Sequence, residues 1–147
     1  MSKQELLAAF DQQGVERPDG FDHEANMQKV LEVRPLLEDA LEVPLELDSS
    51  AEDATFFCNL GCLQNDNGTR RQEYSVCLTF SNFGNLCLLW GDQEWLACHG
   101  AALVAGELVL IKCGNVPLRS RDVEGEYSGC HAEWTSKTWL DRFFAHY

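Results

Sequence analysis

In the segment Tyr74-Ser75-Val76-Cys77-Leu78-Thr79-Phe80, large side chains (Tyr, Val, Leu and Phe) alternate with small ones (Ser, Cys and Thr), which is a period of two residues. Successive side chains of a β-strand point to opposite faces of the sheet, so this alternation predicts a strand. Residues 56–63 have the same period, and Asn65-Asp66-Asn67-Gly68 between the two segments is a hairpin turn signal. The two segments therefore predict an antiparallel β-hairpin.

More strands are predicted on both sides of this hairpin. Leu45-Glu46-Leu47 looks extended, and Leu86-Cys87-Leu88-Leu89-Trp90 is apolar on both faces, as expected of a central strand. Trp95-Leu96-Ala97-Cys98 and Leu108-Val109-Leu110-Ile111 are also interpreted as strands, followed by a polar loop over residues 114–128. Short connections favour antiparallel neighbours, so we expect a meander of about five strands.

Helical patterns flank the predicted sheet. Ser2 and Glu5 form a capping-box pair ahead of an apolar run, which predicts a helix over about residues 3–13. A helical stripe then covers about residues 22–41, and Pro35 either kinks this helix or starts a new one. Strands that are apolar on both faces require helices to cover at least part of one face of the sheet.

The expected fold is a single α+β domain over residues 1–147. It has a helical N-terminal part over 1–45, an antiparallel sheet over 54–113 and a C-terminal helix over 136–147 that packs on the sheet. The length suits one domain and is too short for two ordinary ones. The chain is 45% hydrophobic, which excludes a disordered protein.

The charge of the chain is strongly asymmetric. The formal net charge is −13, and residues 1–53 hold 14 acidic and 4 basic residues, a net of −10. The stretch from Pro35 to Thr69 contains no Lys or Arg. Nucleic acids and anionic membranes require Lys and Arg at their binding surfaces, so neither is an expected partner.

We hypothesise that the acidic stretch docks a basic protein partner. Such a surface accelerates association and selects among partners by charge. The competing interpretations are a solvated face that aids solubility and, with less support, a calcium site that lacks the usual loop pattern. The candidate contact residues are Glu38, Asp39, Glu42, Glu46, Asp48, Glu52 and Asp53, with Phe83 as an exposed aromatic anchor in a polar turn.

Seven cysteines occur, and no export signal is apparent at the start of the chain. This combination predicts a cytoplasmic protein with reduced, mostly buried thiols. Adjacent Cys–His pairs on a strand point to opposite faces, and no zinc spacing, deaminase signature or phosphate-binding glycine loop occurs. No catalytic residue, metal or cofactor is therefore predicted.

Three functions stay open at this point. The leading one is a non-enzymatic inhibitor or immunity-type protein that docks a toxin or nuclease; the second is a secretion-type chaperone for an effector, commonly a homodimer. In composition alone, a small acidic chain without a catalytic motif resembles bacterial immunity proteins, secretion chaperones and phage-encoded inhibitors. The third is a Cys/His-dependent enzyme, with Cys98 or Cys130 as nucleophile and His99, His131 or His146 as base.

Overall fold

A computed structural model describes residues 2–12, 20–49, 55–63, 74–83, 85–129 and 138–144 of the chain. These residues form an α+β fold with helices at both ends of the chain, which confirms the predicted class. The helices are α1 (Lys3–Asp11), α2 (His23–Leu41), α3 (Gln93–Cys98), α4 (Gly100–Lys112), α5 (Ser120–Val123) and α6 (Trp139–Phe144). The strands are β1 (Glu46–Asp48), β2 (Phe56–Leu63), β3 (Tyr74–Ser81), β4 (Leu86–Gly91) and β5 (Val116–Arg119).

The five strands form one sheet in the order β1-β2-β3-β4-β5. The first four are antiparallel neighbours, as the meander predicts. The last pair, β4 and β5, is parallel, because α3 and α4 carry the chain back across the sheet before β5 begins. The sheet therefore leaves β1 as one of its two edges and β5 as the other.

Two of the predicted strands are helices. The sheet predicted over residues 54–113 therefore agrees with the structure only as far as Gly91. Trp95–Cys98 belongs to α3, whose N-cap residue Asp92 accepts a 3.0 Å hydrogen bond from the Trp95 backbone. Leu108–Ile111 lies in α4. The fifth strand, β5, falls instead within the predicted polar loop.

Pro35 lies inside α2, which runs as one helix rather than two. The side chain of Pro35 is exposed, and the buried face of the helix is formed by Val30, Val33, Leu37 and Leu41. Burial of a side chain of this size contributes about 1.5–3 kcal/mol, which is enough for packing to retain the helix across the lost backbone hydrogen bond.

The sheet separates two apolar cores. On its first face, α2 and α4 cover a row that includes Leu60, Leu78 and Leu89. On its second face, residues of α1, α5 and α6 pack over the end of the sheet that carries Leu88 and Leu118. The predicted packing of the C-terminal helix on the sheet is confirmed. Among the described residues, no helix has both the length and the hydropathy needed to cross a bilayer.

Candidate functional site

Acidic residues are concentrated where α2 ends. Glu38 and Asp39 lie near its C-terminus, Glu42 is the C-cap, and the last turn holds no basic residue. The C-terminus of a helix carries a partial negative charge, so carboxylates are unfavourable there. Glu42 also adopts the left-handed conformation, with φ 59° and ψ 33°, which favours glycine. The end of α2 therefore has two locally destabilising features, which are the carboxylates at the helix C-terminus and the left-handed conformation of Glu42.

Glu38 is half-buried and has a structural role. Its Oε2 accepts a hydrogen bond of 3.0 Å from the backbone N–H of Leu45, and its Oε1 lies 3.9 Å from Nε of Arg34. These contacts hold the end of α2 against the segment that enters β1. Asp39 and Glu42 are exposed and are the two carboxylates at this helix end that face solvent.

Glu46 and Asp48 are exposed on the edge strand β1, on either side of Leu47. Leu47 packs against the core under α2, so the two acidic side chains point to the second face of the sheet. The predicted acidic residues therefore share one edge of the molecule but lie in two layers, since Asp39 and Glu42 belong to the helix layer. Glu52 and Asp53 lie outside the described residues.

An aromatic pair borders the acidic residues of β1. Glu46 is in register with Gly61, and the ring of Tyr74 fills the space that a side chain at position 61 would need. The same ring makes a T-shaped contact with Trp90, at 5.6 Å between centroids. Burial raises the pKa of the Tyr74 phenol, and the nearby carboxylates of Asp48 and Glu46 raise it further.

A chain of hydrogen bonds fixes Trp90 on this face. Its indole Nε1 donates to Oγ1 of Thr79 at 2.9 Å, and that hydroxyl donates to Oδ1 of Asn59 at 2.5 Å. Asn59 is in turn the register partner of Asp48 on β1. Hydrogen bonds between neighbouring side chains therefore fix the positions of Trp90, Thr79 and Asn59 on this face of the sheet.

An apolar pocket of about 320 Å³ lies on the other side of Trp90. It opens between the second face of the sheet and the helices that follow it in sequence. Its lining residues are Leu88, Trp90, Ser120, Leu140, Asp141 and Phe144. The sequence gives no local signal of this pocket, because its walls come from a strand and two helices that meet only in the folded chain.

Phe83 is buried, so the prediction of an exposed aromatic anchor is wrong. Its ring is 0% exposed and makes an edge contact with Phe143, at 5.2 Å between centroids. The guanidinium of Arg142 lies over the same ring, 4.6 Å from its centroid. The turn that holds Phe83 folds back onto the sheet, and the ring completes the core under α6.

The described cysteines are free, and their environments differ. Burial raises the pKa of the Cys58 and Cys77 thiols to about 12, whereas Cys98 and Cys113 are exposed.

The His99 ring stacks on Trp95 at 3.9 Å, and its Nδ1 lies 2.7 Å from the Trp95 carbonyl oxygen. In the described ranges no three Cys, His, Asp or Glu side chains are grouped as metal ligands. Cys130, His131 and His146 lie outside those ranges.

Comparison with known proteins finds no matching family model, no matching curated protein and no matching solved structure.

Proposed function

We propose that this protein is a non-enzymatic binding module that docks a basic segment of a partner protein. The contact surface, called the acidic edge below, consists of Asp39, Glu42, Glu46 and Asp48. The observation that carries the proposal is the composition of the end of α2, where exposed carboxylates stand against the helix dipole and one of them caps the helix in a glycine-like conformation.

This placement favours binding over solubility as the reason for the acidic residues. A carboxylate that serves only to keep a protein in solution can occupy any exposed position, including helix N-termini, where it stabilises the fold. At the end of α2 the same charge costs a few tenths of a kcal/mol to about 1 kcal/mol per residue. Locally unfavourable choices of this kind are expected at functional surfaces.

A toxin or nuclease is the partner that suits this surface best. Proteins that act on nucleic acids present clefts rich in Lys and Arg that bind phosphates. A surface with several fixed carboxylates can occupy such a cleft, and opposite charges accelerate the encounter. The role proposed for the protein is therefore that of an inhibitor or immunity-type protein.

A secretion-type chaperone is the second candidate, and one observation favours it. Val104, Leu108 and Ile111 form a stripe on α4 and are 55%, 53% and 56% exposed. Exposed apolar stripes are found where proteins bind clients or one another. The stripe holds only three large side chains, however, and self-association of a chain with a net charge of −13 is opposed by repulsion.

Affinity capture from native cell extract tests the proposal with two matched quadruple variants. The edge variant is D39N/E42Q/E46Q/D48N, and the control variant E24Q/E32Q/E124Q/E126Q removes the same charge from exposed positions elsewhere. We expect the wild type and the control to capture the same basic protein at about 50 mM salt, and the edge variant to lose it. At about 500 mM salt all three should lose it, because screening shortens the range of the attraction to a few ångströms.

Capture that is equal for the edge variant and the control, or that persists at high salt, would contradict docking through the acidic edge. Substitutions on the α4 stripe address the chaperone alternative in the same assay. The variant V104S/L108Q/I111Q should leave capture unchanged if the acidic edge is the docking surface. Loss of capture in this variant alone would favour the chaperone.

A further inference from the structure

The pocket beside Trp90 has the size and lining of an anchor site for one side chain. Its volume of about 320 Å³ is at the lower end of the range for ligand pockets, about 300–1,000 Å³. Leu88 and Phe144 provide apolar walls, and both are buried. A pocket of this kind suits an aromatic or leucine-sized group rather than a large ligand.

Polar groups of the lining indicate what charge the occupant carries. Asp141 contributes a carboxylate that is held in place by a 3.1 Å hydrogen bond from the backbone N–H of Thr138. Ser120 contributes an exposed hydroxyl. An apolar group with a cation next to it complements an apolar cavity beside a carboxylate, whereas an anionic group is repelled.

The pocket lies on the same face of the sheet as Glu46 and Asp48, the two residues of the acidic edge that belong to β1. Trp90 is in register with Cys77, Cys77 with Gly61, and Gly61 with Glu46. Trp90 and Glu46 are therefore three strand spacings apart, about 14 Å. An extended peptide covers the distance from Glu46 to Trp90, which is a wall of the pocket, with about four residues. One short segment can therefore contact the β1 carboxylates and place a side chain in the pocket.

We propose that the pocket receives an apolar side chain from the same basic segment that contacts Glu46 and Asp48. This inference rests on the proposed function and adds to it a recognition element: cations at one end and an aromatic or leucine-sized anchor about four residues away. Such a pairing is typical of interfaces, in which a desolvated anchor provides affinity and the surrounding charges provide orientation.

Two synthetic peptides and three protein variants test the anchor. The first peptide has three arginines and, four residues further on, a tryptophan; the second has alanine in place of the tryptophan. Ser120→Trp and Leu140→Trp each fill the pocket from a different wall, so that one is informative if the other does not fold. Ala97→Trp adds the same side chain to the exposed surface of α3 as a control.

We expect the wild type to bind the tryptophan peptide about tenfold more tightly than the alanine peptide, as measured by calorimetry. That gain should fall below about twofold in both pocket variants and persist in Ala97→Trp. Equal affinity of the two peptides for the wild type would overturn the anchor. The proposed function would then still stand if both peptides require the acidic edge.

Two other results separate the anchor from the proposed function. If the tryptophan peptide binds the edge variant D39N/E42Q/E46Q/D48N as tightly as the wild type, docking through the acidic edge is wrong and the combined recognition element falls with it. If N-acetyltryptophanamide alone binds as tightly as the tryptophan peptide, the pocket serves a small molecule and not a partner segment. If neither peptide binds the wild type, the anchor is wrong, and the capture experiment with the edge variant and its control decides the proposed function separately.

Discussion

The carboxylate of Asp11 and the guanidinium of Arg142 form an ion pair in which both side chains are only 1% exposed. Asp11 ends α1 and Arg142 lies in α6, so the pair joins the two ends of the described chain. Tyr127 donates its hydroxyl to the same carboxylate at 2.8 Å. Gly129 packs so closely that a Cβ there would collide with Asp11. This buried network fixes α1 and α6 over the second face of the sheet, next to the pocket.

Removing one partner of the buried pair should destabilise the fold strongly. We expect Arg142→Met to lower the free energy of unfolding by about 3–5 kcal/mol, because the carboxylate of Asp11 is left buried without its counter-charge. Urea unfolding measures the change. Lys3→Met breaks the exposed pair with Asp122 and should cost less than about 1 kcal/mol. A loss below about 1 kcal/mol for Arg142→Met would show that the pair contributes little.

Glu42 should show a conflict between stability and binding. Glycine adopts the left-handed conformation without strain, so Glu42→Gly should raise the free energy of unfolding by about 1 kcal/mol. The same change removes one carboxylate of the acidic edge and should weaken capture of the partner. Asn85 is also left-handed, at φ 59°, and lies away from the acidic edge. Asn85→Gly is therefore the control: it should not weaken capture, and a similar loss in both variants would contradict the account.

Asp122 should make stability depend on pH in the acid range. Burial raises the pKa of its carboxyl, but hydrogen bonds from the Arg119 backbone and from Lys3 outweigh burial and lower the pKa below 3.8. A folded-state pKa below the unfolded value stabilises the fold above the unfolded pKa, and this contribution disappears as the pH falls through the folded value.

The variant Asp122→Asn should therefore be less stable than the wild type at pH 7, by about 1 kcal/mol, and the difference should shrink as the pH falls below 3.8, the ordinary pKa of this carboxyl. Thermal unfolding at a series of pH values measures it. Glu124→Gln, at an exposed neighbouring position, is the control. A difference between Asp122→Asn and the wild type that stays constant from pH 7 to pH 2 would argue against the assigned contacts.

The thiols should divide into two groups by reactivity. Cys58 and Cys77 have a pKa of about 12 because they are buried, and burial also raises that of Cys87. The thiolate is the reactive form, so brief iodoacetamide treatment of the native protein at pH 8 should spare these three and modify Cys98 and Cys113. Peptide mass spectrometry locates the label. Labelling of Cys98 far faster than of Cys113 would favour the enzyme alternative over the binding module.

The central hairpin was predictable because its signals are local. Residues 56–63 and 74–80 alternate with a period of two, and both segments are strands in the structure. Ser2 caps α1 as expected, with its hydroxyl oxygen accepting from the backbone N–H of Glu5. At these positions the sequence period, the capping residue and the tertiary packing all favour the same structure. The predicted turn Asn65-Asp66-Asn67-Gly68 lies outside the described residues.

The helices α3 and α4 were mistaken for strands because short apolar runs do not distinguish the two structures. In α4 the buried residues Leu103 and Leu110 alternate with exposed Val104 and Leu108, so the helix is apolar on almost all sides and shows no amphipathic period. The informative signal was Asp92, which caps α3.

The candidate site was predictable in composition but not in arrangement. Charge counting alone finds Asp39, Glu42, Glu46 and Asp48. Their division between the helix layer and the second face of the sheet depends on the orientation of β1, which Leu47 sets by packing into the core. The burial of Phe83 depends on contacts with α6, far along the chain, and no local pattern reports them.

The acidic edge is proposed to attract and dock a basic protein. The most direct test is the association rate constant of the captured partner, measured by stopped flow between about 20 and 300 mM salt for the wild type, the edge variant D39N/E42Q/E46Q/D48N and the control E24Q/E32Q/E124Q/E126Q. Docking through the acidic edge predicts association at low salt about tenfold slower for the edge variant, with a flattened salt dependence, and a much smaller effect for the control. Equal rates and equal salt dependence for the two variants would contradict it.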